Sequence, residues 1–333
     1  MRWEKKGNEM MKATVVIPNY NGMKYIGDCL DSLYQLREQE LFTVLLVDNG
    51  SKDGSLEVVK EKYPQVKVVE LTENTGFCHA VNVGIEAAGT PYVILLNNDT
   101  VVLEGFVKGL VDAIEQDDKI FAASAMMLQW QDHDLIDDAG DQYCALGWAY
   151  ARGKGKPALG YQKPAKIFAA CGGASIYRKK ILDQIGYFDE NHFAYLEDID
   201  ICYRAAIYGY HCVYTPTARV LHAGSATSGS RYNEFKTRLA SANSVYLIGK
   251  NMPLLQLIWN LPFLLLGFII KTLFFARKGM GSLYLKGLAN GLHKLISPEG
   301  RAHKVTYHWR NLPHYLSIQA KLYKNTIGLF TKK

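Results

Sequence analysis

The sequence predicts an α/β protein with a doubly wound, mostly parallel sheet, followed by a C-terminal helical tail. Over roughly the first hundred residues, short apolar runs alternate with segments of helical spacing, which is the order of a parallel α/β sheet. Three of these four runs are nearly continuous in Val, Ile and Leu, as expected for strands that are covered on both faces. The most apolar stretch comes late, at residues 253–278, and predicts the helical tail.

The first part of the chain supplies four strands and the helices between them. The predicted strands are ATVVI at 13–17, TVLLV at 43–47, VKVVE at 66–70 and YVILL at 92–96. The predicted helices cover about 23–36, 54–62 and 77–88. In such a sheet ligands bind beyond the carboxyl ends of the strands, so the loops after the strands are where chemistry is expected.

The following part is less regular. Residues 129–166 are predicted to form a long irregular excursion over the site. The elements predicted after it are a strand at 167–177, a helix near 178–186, a helix at 196–210 and strands at 211–215 and 218–222. The loop AGSATSGS at 223–230 is small and flexible enough to close over a ligand.

Charge divides the chain into two expected parts. Residues 1–250 carry 26 Lys/Arg and 31 acidic residues, a formal charge of −5, whereas residues 251–333 carry twelve Lys/Arg and one acid, +11. We expect an acidic α/β domain over the first range and a basic tail with an anionic partner over the second. The six cysteines form no CxxC pair and the N-terminus has no apolar run, which favours reduced thiols and a cytosolic compartment.

The apolar helix in the tail has a polar stripe. Its members fall within about 60° of one another on a helical projection: Gln256, Asn260, Gly267, Lys271 and Lys278. Such a stripe, with Trp259 and basic flanks, is typical of a helix in the membrane interface. The remaining basic residues would bind anionic headgroups: Lys286, Lys294, Arg301, Lys304, Arg310, Lys321 and Lys324. A membrane span and a core helix are the alternatives; nucleic acid is not expected, because no reading motif accompanies the basic residues.

The loops at the predicted strand ends share one composition. They are PNYNG at 18–22, DNGSKDGS at 48–55, TENTGFCHAVNVG at 72–84 and NNDT at 97–100, all rich in Asn, Asp, Gly or Ser. Any one of them suits a turn or a helix N-cap, but four at the same sheet edge point to a shared ligand. Asp99 could bind a divalent cation together with a phosphate, or cap the helix near Glu104. His222, which ends a strand, could be a second metal ligand or a structural histidine.

Carboxylates crowd the start of the helix predicted at 196–210. Glu197 and Asp198 could simply complement the helix dipole, and Asp200 and Arg204 are spaced for an ordinary helix ion pair. Dipole complementarity does not explain the glycine-lined approach CGGAS beside the same strand-end cleft. A carboxylate in that position could take a proton from an attacking hydroxyl as a general base.

Together these motifs resemble the GT-A glycosyltransferases of family 2, a large group of inverting enzymes that use sugar nucleotides. VVIPNYNG, LLVDNGSKDGS, NTGFCHAVNVGIEAAGTPYVILLNNDT and YLEDIDICYRAAIYGY stand in the family's order and spacing between about Ala13 and Met252. The NTGF, NND and ED wording is most similar to the rhamnosyltransferase-type branch, which builds bacterial cell-wall polysaccharide or O-antigen on a polyprenyl diphosphate carrier. A membrane-prone tail is typical of bacterial members.

The resemblance implies a role for each matching residue. Asp198 would be the catalytic base, and Glu197 would orient the acceptor or the base. Asp99 and His222 would hold Mg²⁺ or Mn²⁺, with Asn97 in place of the first Asp of the family's DxD motif. The candidates for binding the nucleotide sugar are Pro18, Tyr20, Asp48, Asn74, Gly76, Asn97, Asn98, Gly173 and Arg204. Of these, Arg204 would also lock the start of its helix.

The implied reaction is direct displacement at the anomeric carbon with inversion and no covalent enzyme intermediate. The implied donor is dTDP-rhamnose first and a UDP-hexose second. The acceptor would be a lipid-linked or growing polysaccharide of the cell wall, O-antigen or capsule, at the cytoplasmic face of the cell membrane. The alternatives are a non-catalytic sugar-nucleotide- or glycan-binding protein and a sugar nucleotidyltransferase, although the latter class usually has a Gly-rich, basic loop where this chain has PNYNG.

Overall fold

The structure is a computed structural model that describes residues 11–224 and 232–331. The strands are β1 (Ala13–Asn19), β2 (Phe42–Asn49), β3 (Lys67–Leu71), β4 (Tyr92–Leu96), β5 (Thr100–Val102), β6 (Ile120–Gln129), β7 (Asp132–Asp138), β8 (Asp141–Tyr143), β9 (Ala149–Ala151), β10 (Ala165–Ile167), β11 (Ala174–Arg178) and β12 (His211–His222). The α-helices are α1 (Ile26–Tyr34), α2 (Ser55–Lys62), α3 (Phe77–Ala87), α4 (Phe106–Ile114), α5 (Lys179–Ile185), α6 (Glu197–Ile207), α7 (Glu234–Asn251), α8 (Leu254–Arg277), α9 (Gly281–Ile296), α10 (Pro298–Ala302) and α11 (Leu312–Thr331). Most of the loop at 223–230 lies outside the described residues.

The main sheet runs in the order β10-β12-β6-β11-β4-β1-β2-β3. The half formed by β4, β1, β2 and β3 is parallel throughout, which confirms the predicted doubly wound core of a mixed α/β fold. The other half is mixed, because β11 runs antiparallel to both of its neighbours while β6 and β12 are parallel. Strands β5 and β7 pair with β12 and β6 beside this path.

Both faces of the sheet are covered, as the continuous apolar runs predict. Val16 and Leu95 pack into a cluster with α3 and α6, whereas their neighbours Val15 and Ile94 pack into a second cluster with α1 and α4. Consecutive residues of a strand point to opposite faces, so burial of every residue requires a layer of helices on each side. With both faces covered, the strand ends are left accessible, and the carboxyl ends of β1, β2 and β4 lie together at one end of the sheet.

Three sequence-based predictions for the second half were wrong. The excursion at 129–166 contains β7, β8, β9 and β10, and the run at 167–177 is split between the end of β10 and β11. The strands predicted at 211–215 and 218–222 are one strand, β12, with a break in its register between Thr215 and Arg219. The fully buried strand β6 was not predicted, because its Ala, Met and Leu residues favour a helix over a strand.

The C-terminal helices pack on the α/β domain. Helix α7 pairs with α9, and α11 lies against α6. Leu264 of α8 and Leu322 of α11 belong to the same buried cluster as Tyr203 of α6. Gly267 of α8 accepts a hydrogen bond on its carbonyl from the Trp148 indole at 3.2 Å. The helices that follow residue 250 thus share a core with the domain before it.

The first three members of the polar stripe, Gln256, Asn260 and Gly267, face the protein, whereas an interfacial helix would turn them toward water. Lys278, at the end of the stripe, is exposed. Gln256 and Asn260 are 3% and 0% exposed, and their amides bond to Gln319 of α11 at 2.7–3.1 Å. Tyr203 donates to Gln256 at 2.8 Å. The exposed side of the helix is apolar instead: Leu254, Leu255, Ile258, Trp259, Leu261, Phe263, Leu265, Leu266, Ile269, Ile270, Leu273 and Phe274.

Helix α8 is, among the described residues, long and apolar enough to cross a membrane, with a mean hydropathy of 1.9 over its most apolar window. Two of the tail lysines expected to meet headgroups are partly buried. Lys294 donates to the carbonyl of Asn191 and to the side chain of Asn243, and burial lowers the pKa of Lys321. These two side chains are therefore poor candidates for headgroup contacts.

Candidate active site

A cleft of about 1150 Å³ opens at the carboxyl ends of β1, β2 and β4, where the sequence predicts a ligand. Ten of the candidate residues line it: Pro18, Tyr20, Asn74, Asn97, Asn98, Asp99, Gly173, Glu197, Asp198 and His222. They come from separate loops and strand ends. Asp99 and Asp198, 99 positions apart in the chain, share this one cavity.

Asp48 lies below the cleft and does not line it. Its carboxylate accepts hydrogen bonds from the side chain of Asn19 at 2.9 Å and from the backbone of Ser51 at 3.0 Å, and the residue is 1% exposed. Asn98 donates to the other end of the Asn19 side chain at 2.8 Å. Asn19, Asp48 and Asn98 thus form a small buried polar network beside the cleft. In it, Asp48 links the end of β1 to the loop after β2.

The glycine of the NTG motif, Gly76, allows a close contact between its loop and Phe193. Gly76 has a φ of +91°, and a Cβ there would lie 2.6 Å from the ring of Phe193. The side-chain oxygen of Asn74 accepts a hydrogen bond from the Gly76 backbone at 3.0 Å. Asn74 lines the cleft and Gly76 does not, so the glycine acts by letting the loop approach residue 193.

Arg204 does not reach the cleft, which corrects its prediction as a nucleotide-sugar ligand. Its guanidinium donates to Asp200 at 3.0 Å, as the helix spacing predicts, and to the carbonyls of Ile185, Gly186 and Tyr187 at 2.6–2.9 Å. One acceptor, Asp200, lies on α6 itself, and the three carbonyls lie at the end of α5 and just after it. These four hydrogen bonds tie α6 to the end of α5 and turn the guanidinium away from the cleft.

Asp99 and His222 come together because β5 pairs with β12. Thr100 lies opposite His222 in this ladder, which leaves Asp99 Oδ1 3.4 Å from His222 Nε2. Adjacent ligand atoms about 2.1 Å from an octahedral ion lie about 3.0 Å apart, so Asp99 and His222 would share one divalent cation after closing by a few tenths of an ångström. Asp99 does not cap α4, because that helix begins after Gly105 and has no side-chain cap.

A third residue, Asp137, was missed by the sequence-based prediction. Its Oδ2 lies 2.8 Å from Nδ1 of His222, and Lys154 pairs with its other oxygen. Burial lowers the pKa of His222, but the hydrogen bonds to Asp137 and Asp99 outweigh it and raise the pKa to about 9. Burial likewise opposes ionisation of Asp137, yet His222 and Lys154 hold its pKa at about 2. Without a bound ion, His222 is thus a cation between two carboxylates.

The loop before α6 is strained where it meets the cleft. Phe193, Tyr195 and Leu196 all have a positive φ, between +61° and +70°, which costs free energy for residues with a side chain. Asn243 of α7 donates from one amide nitrogen to carbonyls of this loop at 2.8–2.9 Å. Such strain is often found at functional sites. Here the strained backbone directs the first turn of α6 toward the cleft.

Glu197 and Asp198 are both held in an environment that disfavours charge. Burial raises the pKa of Asp198, although the Ile199 backbone donates to it at 2.7 Å. Burial and then the neighbouring Asp198 raise the pKa of Glu197 to about 8, and Glu197 Oε2 is buried without a hydrogen-bond partner in the described structure. A charge on Asp198 thus raises the pKa of Glu197, and Glu197 stays protonated at neutral pH.

Two further acids that were not predicted stand close to Asp198. Asp141 lines the cleft, and ligand atoms of Asp138, Asp141 and Cys171 lie within 4.8 Å of one another. Burial raises the pKa of Asp141 well above its ordinary value and that of Asp138 to about 7. The DDAGDQ stretch that carries them is visible in the sequence, but no strand pattern around it indicated where it would lie.

Asp200, the third acid of α6, has a structural role. Lys250 of α7 donates to Asp200 at 2.8 Å and to Asp189 at 2.6 Å, and all three side chains are essentially inaccessible. Burial raises the pKa of Asp200, but Lys250 and Arg204 outweigh it and hold that pKa well below its ordinary value. Of the three acids at the start of α6, Glu197 and Asp198 thus face the cleft. Asp200 anchors the helix through its ion pairs.

The curled α/β sheet and the acid-lined cleft at its strand ends define a GT-A glycosyltransferase. Residues 14–186, about half of the chain, match the family described as Glycosyl transferase family 2. The chain belongs to that family, and the resemblance seen in the sequence is confirmed. This also settles the choice among the classes considered above in favour of an enzyme that transfers a glycosyl group.

Proteins similar to the chain include a rhamnosyltransferase and a teichoic acid polymerase. The chain is 28% identical over 238 residues to an N-acetylglucosaminyl-diphospho-decaprenol L-rhamnosyltransferase of Mycobacterium tuberculosis, covering 65% of this chain and 77% of that protein. It is 36% identical over 94 residues to a teichoic acid poly(glycerol phosphate) polymerase of Staphylococcus epidermidis, covering 27% of this chain but only 13% of the polymerase.

Solved structures share the fold at low sequence identity. The structure of GalNAc-T7 with UDP, GalNAc and Mn²⁺ is similar with a TM-score of 0.60 and 17% identity, over 73% of this chain and 48% of that one. A mannosyltransferase from Pyrobaculum calidifontis in complex with GDP-Man and Mn²⁺ has a TM-score of 0.53 and 17% identity, over 95% and 88% of the two chains. At such identities the likeness concerns the fold alone.

Proposed function

We propose that this protein is an inverting, metal-dependent glycosyltransferase that moves a sugar from a nucleotide sugar to a hydroxyl of a lipid-linked or growing polysaccharide. The observation that carries the proposal is the shared cleft, in which the Asp99–His222 pair and Asp198 line one cavity. The mycobacterial relative transfers L-rhamnose, as its name states, which supports dTDP-rhamnose as the first donor to test and a UDP-hexose as the second.

Asp198 is the general base in this proposal. The acceptor oxygen forms a bond to the anomeric carbon as the bond from that carbon to the diphosphate oxygen breaks, and the acceptor proton passes to Asp198. A raised pKa suits this role, because the carboxylate is then a stronger base than an exposed Asp. Glu197, protonated at neutral pH, can donate a hydrogen bond to the acceptor or to the base.

Asp99, which follows β4, and His222, at the end of β12, would hold Mg²⁺ or Mn²⁺ in the cleft. When bound, the ion supplies positive charge that offsets the charge of the departing nucleoside diphosphate. Asn97, which lines the cleft beside Asp99, offers a hydrogen-bonding amide where the family's motif has a first carboxylate. With only two first-choice ligands from the protein, the diphosphate oxygens would complete the coordination of the ion.

The apolar side of α8 would place the enzyme at the cytoplasmic face of the cell membrane. Its inner stripe is bonded to the domain, and its outer side exposes about a dozen large apolar residues. Such a surface is stable when it is buried among the acyl chains of one leaflet. A monotopic location of this kind fits an acceptor on a polyprenyl diphosphate carrier.

The test is a panel of nucleotide sugars, assayed for Mn²⁺-dependent transfer and hydrolysis, with Asp198→Asn as the matched variant. We expect dTDP-rhamnose or a UDP-hexose to be turned over by the wild type only. The Asn variant should bind the same nucleotide sugar with little change, since it keeps the size and hydrogen-bonding capacity of the side chain. Turnover by Asp198→Asn near the wild-type rate would contradict the assignment of the base.

A further inference from the structure

Asp137 is the extra residue of a bulge in β7. Asp138 of β7 pairs with Met127 of β6, and Ile136 pairs with the next residue, Leu128. Two residues of β7 therefore correspond to one residue of β6, and Asp137 has no partner in the ladder. β6 also pairs on its other side with β12, which carries His222. A bulge turns a side chain away from the regular alternation of its strand and is found next to active sites. Here it directs the Asp137 carboxylate to His222.

The position of this carboxylate is fixed from both sides. Its Oδ2 lies 2.8 Å from Nδ1 of His222, and its Oδ1 pairs with the ammonium of Lys154. Backbone hydrogen bonds of 2.8 and 2.9 Å join Gly155 and Lys156, next to Lys154, to Ile136 of β7. Neither oxygen of Asp137 is therefore free to turn toward the cleft, and Asp137 does not line it.

We propose that Asp137 is a positioning residue for the metal site, and that it acts through His222. By accepting the Nδ1 proton, Asp137 leaves Nε2, which lies 3.4 Å from Asp99 Oδ1, as the nitrogen that binds a divalent cation. A carboxylate in this place fixes the orientation of a metal-binding histidine, and its loss lowers metal affinity about 10- to 100-fold. The inference rests on the proposed metal-dependent transfer.

The test is a double-mutant cycle on Mn²⁺ affinity, measured from the EPR signal of the free ion with the full-length protein and dTDP or UDP. The proteins are the wild type, Asp137→Asn, His222→Ala and the double variant. Asp134→Asn, which removes the same charge from the exposed end of β7, is the matched control. Transfer activity is not needed for this readout, and melting temperatures show whether each variant is folded.

We expect Asp137→Asn to weaken Mn²⁺ binding at least about 10-fold, and Asp134→Asn to change it less than about 2-fold. In the His222→Ala background, Asp137→Asn should have no further effect. An equal loss in both backgrounds would show that Asp137 acts only as a distant charge and would overturn the proposal, as would no loss at all. Failure of the wild type to bind Mn²⁺ would instead overturn the proposed metal site itself.

A measurement on the wild type covers the case in which Asp137→Asn does not fold. The ¹⁵N NMR spectrum of histidine-labelled protein with Mg²⁺ and dTDP or UDP reports which ring nitrogen of His222 carries a proton, and His222→Ala assigns the signal. We expect the proton on Nδ1. A proton on Nε2 would exclude that nitrogen as a ligand and overturn the proposal.

Discussion

Glu197 and Asp198 are neighbours in sequence, and burial raises the pKa of both, yet their carboxyl groups have different surroundings. The Ile199 backbone donates to Asp198, whereas one oxygen of Glu197 is buried without a partner in the described structure. Groups whose environments separate their pKa values are the usual arrangement of an acid–base site. Burial of two adjacent carboxyls destabilises the fold, so their presence is best explained by the reaction.

Glu197→Gln should make the stability of the protein less dependent on pH. The pKa of Glu197 is raised from 4.5 to about 8 by burial and by Asp198, so the folded protein binds this proton more tightly than the unfolded chain. The free energy of unfolding of the wild type, relative to the variant, should therefore fall as pH rises from about 4.5 to 8. Melting temperatures at several pH values test this.

Glu61→Gln, at an exposed position of α2, is the control for the Glu197 prediction. Its melting temperature should run parallel to that of the wild type over the same pH range. A constant difference between wild type and Glu197→Gln across that range would show that the pKa of Glu197 is the same in the folded and the unfolded protein, and would contradict the prediction.

Asp99→Asn should remove the metal-dependent part of nucleotide binding. The substitution keeps the size of the side chain but removes the charge 3.4 Å from His222. Charge on the ligand is a large part of the affinity of a carboxylate for Mg²⁺ or Mn²⁺. Titration of a nucleoside diphosphate with and without Mn²⁺ gives the comparison. An unchanged stimulation by Mn²⁺ would place the ion elsewhere, for example among Asp138, Asp141 and Cys171.

At the scale of elements, two contacts join the C-terminal helices α7 and α8 to α6. Lys250 at the end of α7 neutralises Asp200 in the first turn of α6, and Gln256 of α8 bonds to Tyr203 of the same helix. Helix α6 also carries Asp198. The helices after the α/β domain therefore help to hold the proposed base, beyond any role at a membrane.

Lys250→Met should destabilise the protein by about 3–5 kcal/mol, because it removes the buried cation that Asp189 and Asp200 share. Lys250 is 2% exposed, and its ammonium lies 2.6 Å from Asp189 and 2.8 Å from Asp200. Urea unfolding measures the change. Lys286→Met, the same substitution at an exposed position of α9, should change the free energy of unfolding by less than about 0.5 kcal/mol. Equal effects at the two sites would contradict this account.

Gly267→Ala should loosen the contact between α8 and the domain. A Cβ at this position would lie 2.1 Å from the carbonyl oxygen of Leu146, so helix or loop must move. Overpacking of this kind costs about 1–3 kcal/mol. Gly328→Ala in α11 is the control, because the nearest atom to its Cβ is 3.9 Å away. It should be neutral or stabilising, since Ala favours a helix over Gly. A stable Gly267→Ala protein would argue against tight docking of α8.

At the scale of the whole molecule, the C-terminal helices form both part of the core and an exposed apolar surface. Deletion of 253–333 would remove Leu264, Ile318 and Leu322 from the buried cluster and uncover Tyr203. We therefore expect such a truncation to misfold rather than to release a stable soluble domain. Soluble recovery and circular dichroism of the truncated chain check this. Membrane binding has to be tested by surface substitutions instead.

Replacing Ile258, Leu265 and Ile269 with Gln should reduce binding to lipid vesicles about 100-fold. Each side chain is 53–56% exposed on the outer side of α8 and would contribute about 1 kcal/mol if buried in acyl chains. Flotation with neutral and anionic vesicles measures the binding. Leu159→Gln, at an 85% exposed site of the α/β domain, is the control and should bind as the wild type does. Undiminished flotation of the triple variant would exclude this face as the membrane contact.

The sequence by itself determined the parallel strands and the position of the polar loops that follow them, including the loop that carries Asp99. A parallel sheet brings the carboxyl ends of its strands to one edge, so residues that follow those strands converge wherever they stand in the chain. The family match then follows from the order of the motifs. For this half of the molecule, local apolar patterns were enough.

Only the tertiary structure decided the place of β6, the bulge that brings Asp137 to His222, the turning of Arg204 away from the cleft and the inward side of α8. Each of these depends on pairing or packing between residues far apart in the chain. A polar stripe looks the same in a sequence whether it faces water or other polar groups of the protein. For α8 the amides of Gln256, Asn260 and Gln319 satisfy one another, and this pairing, which no local pattern records, sets the apolar side outward.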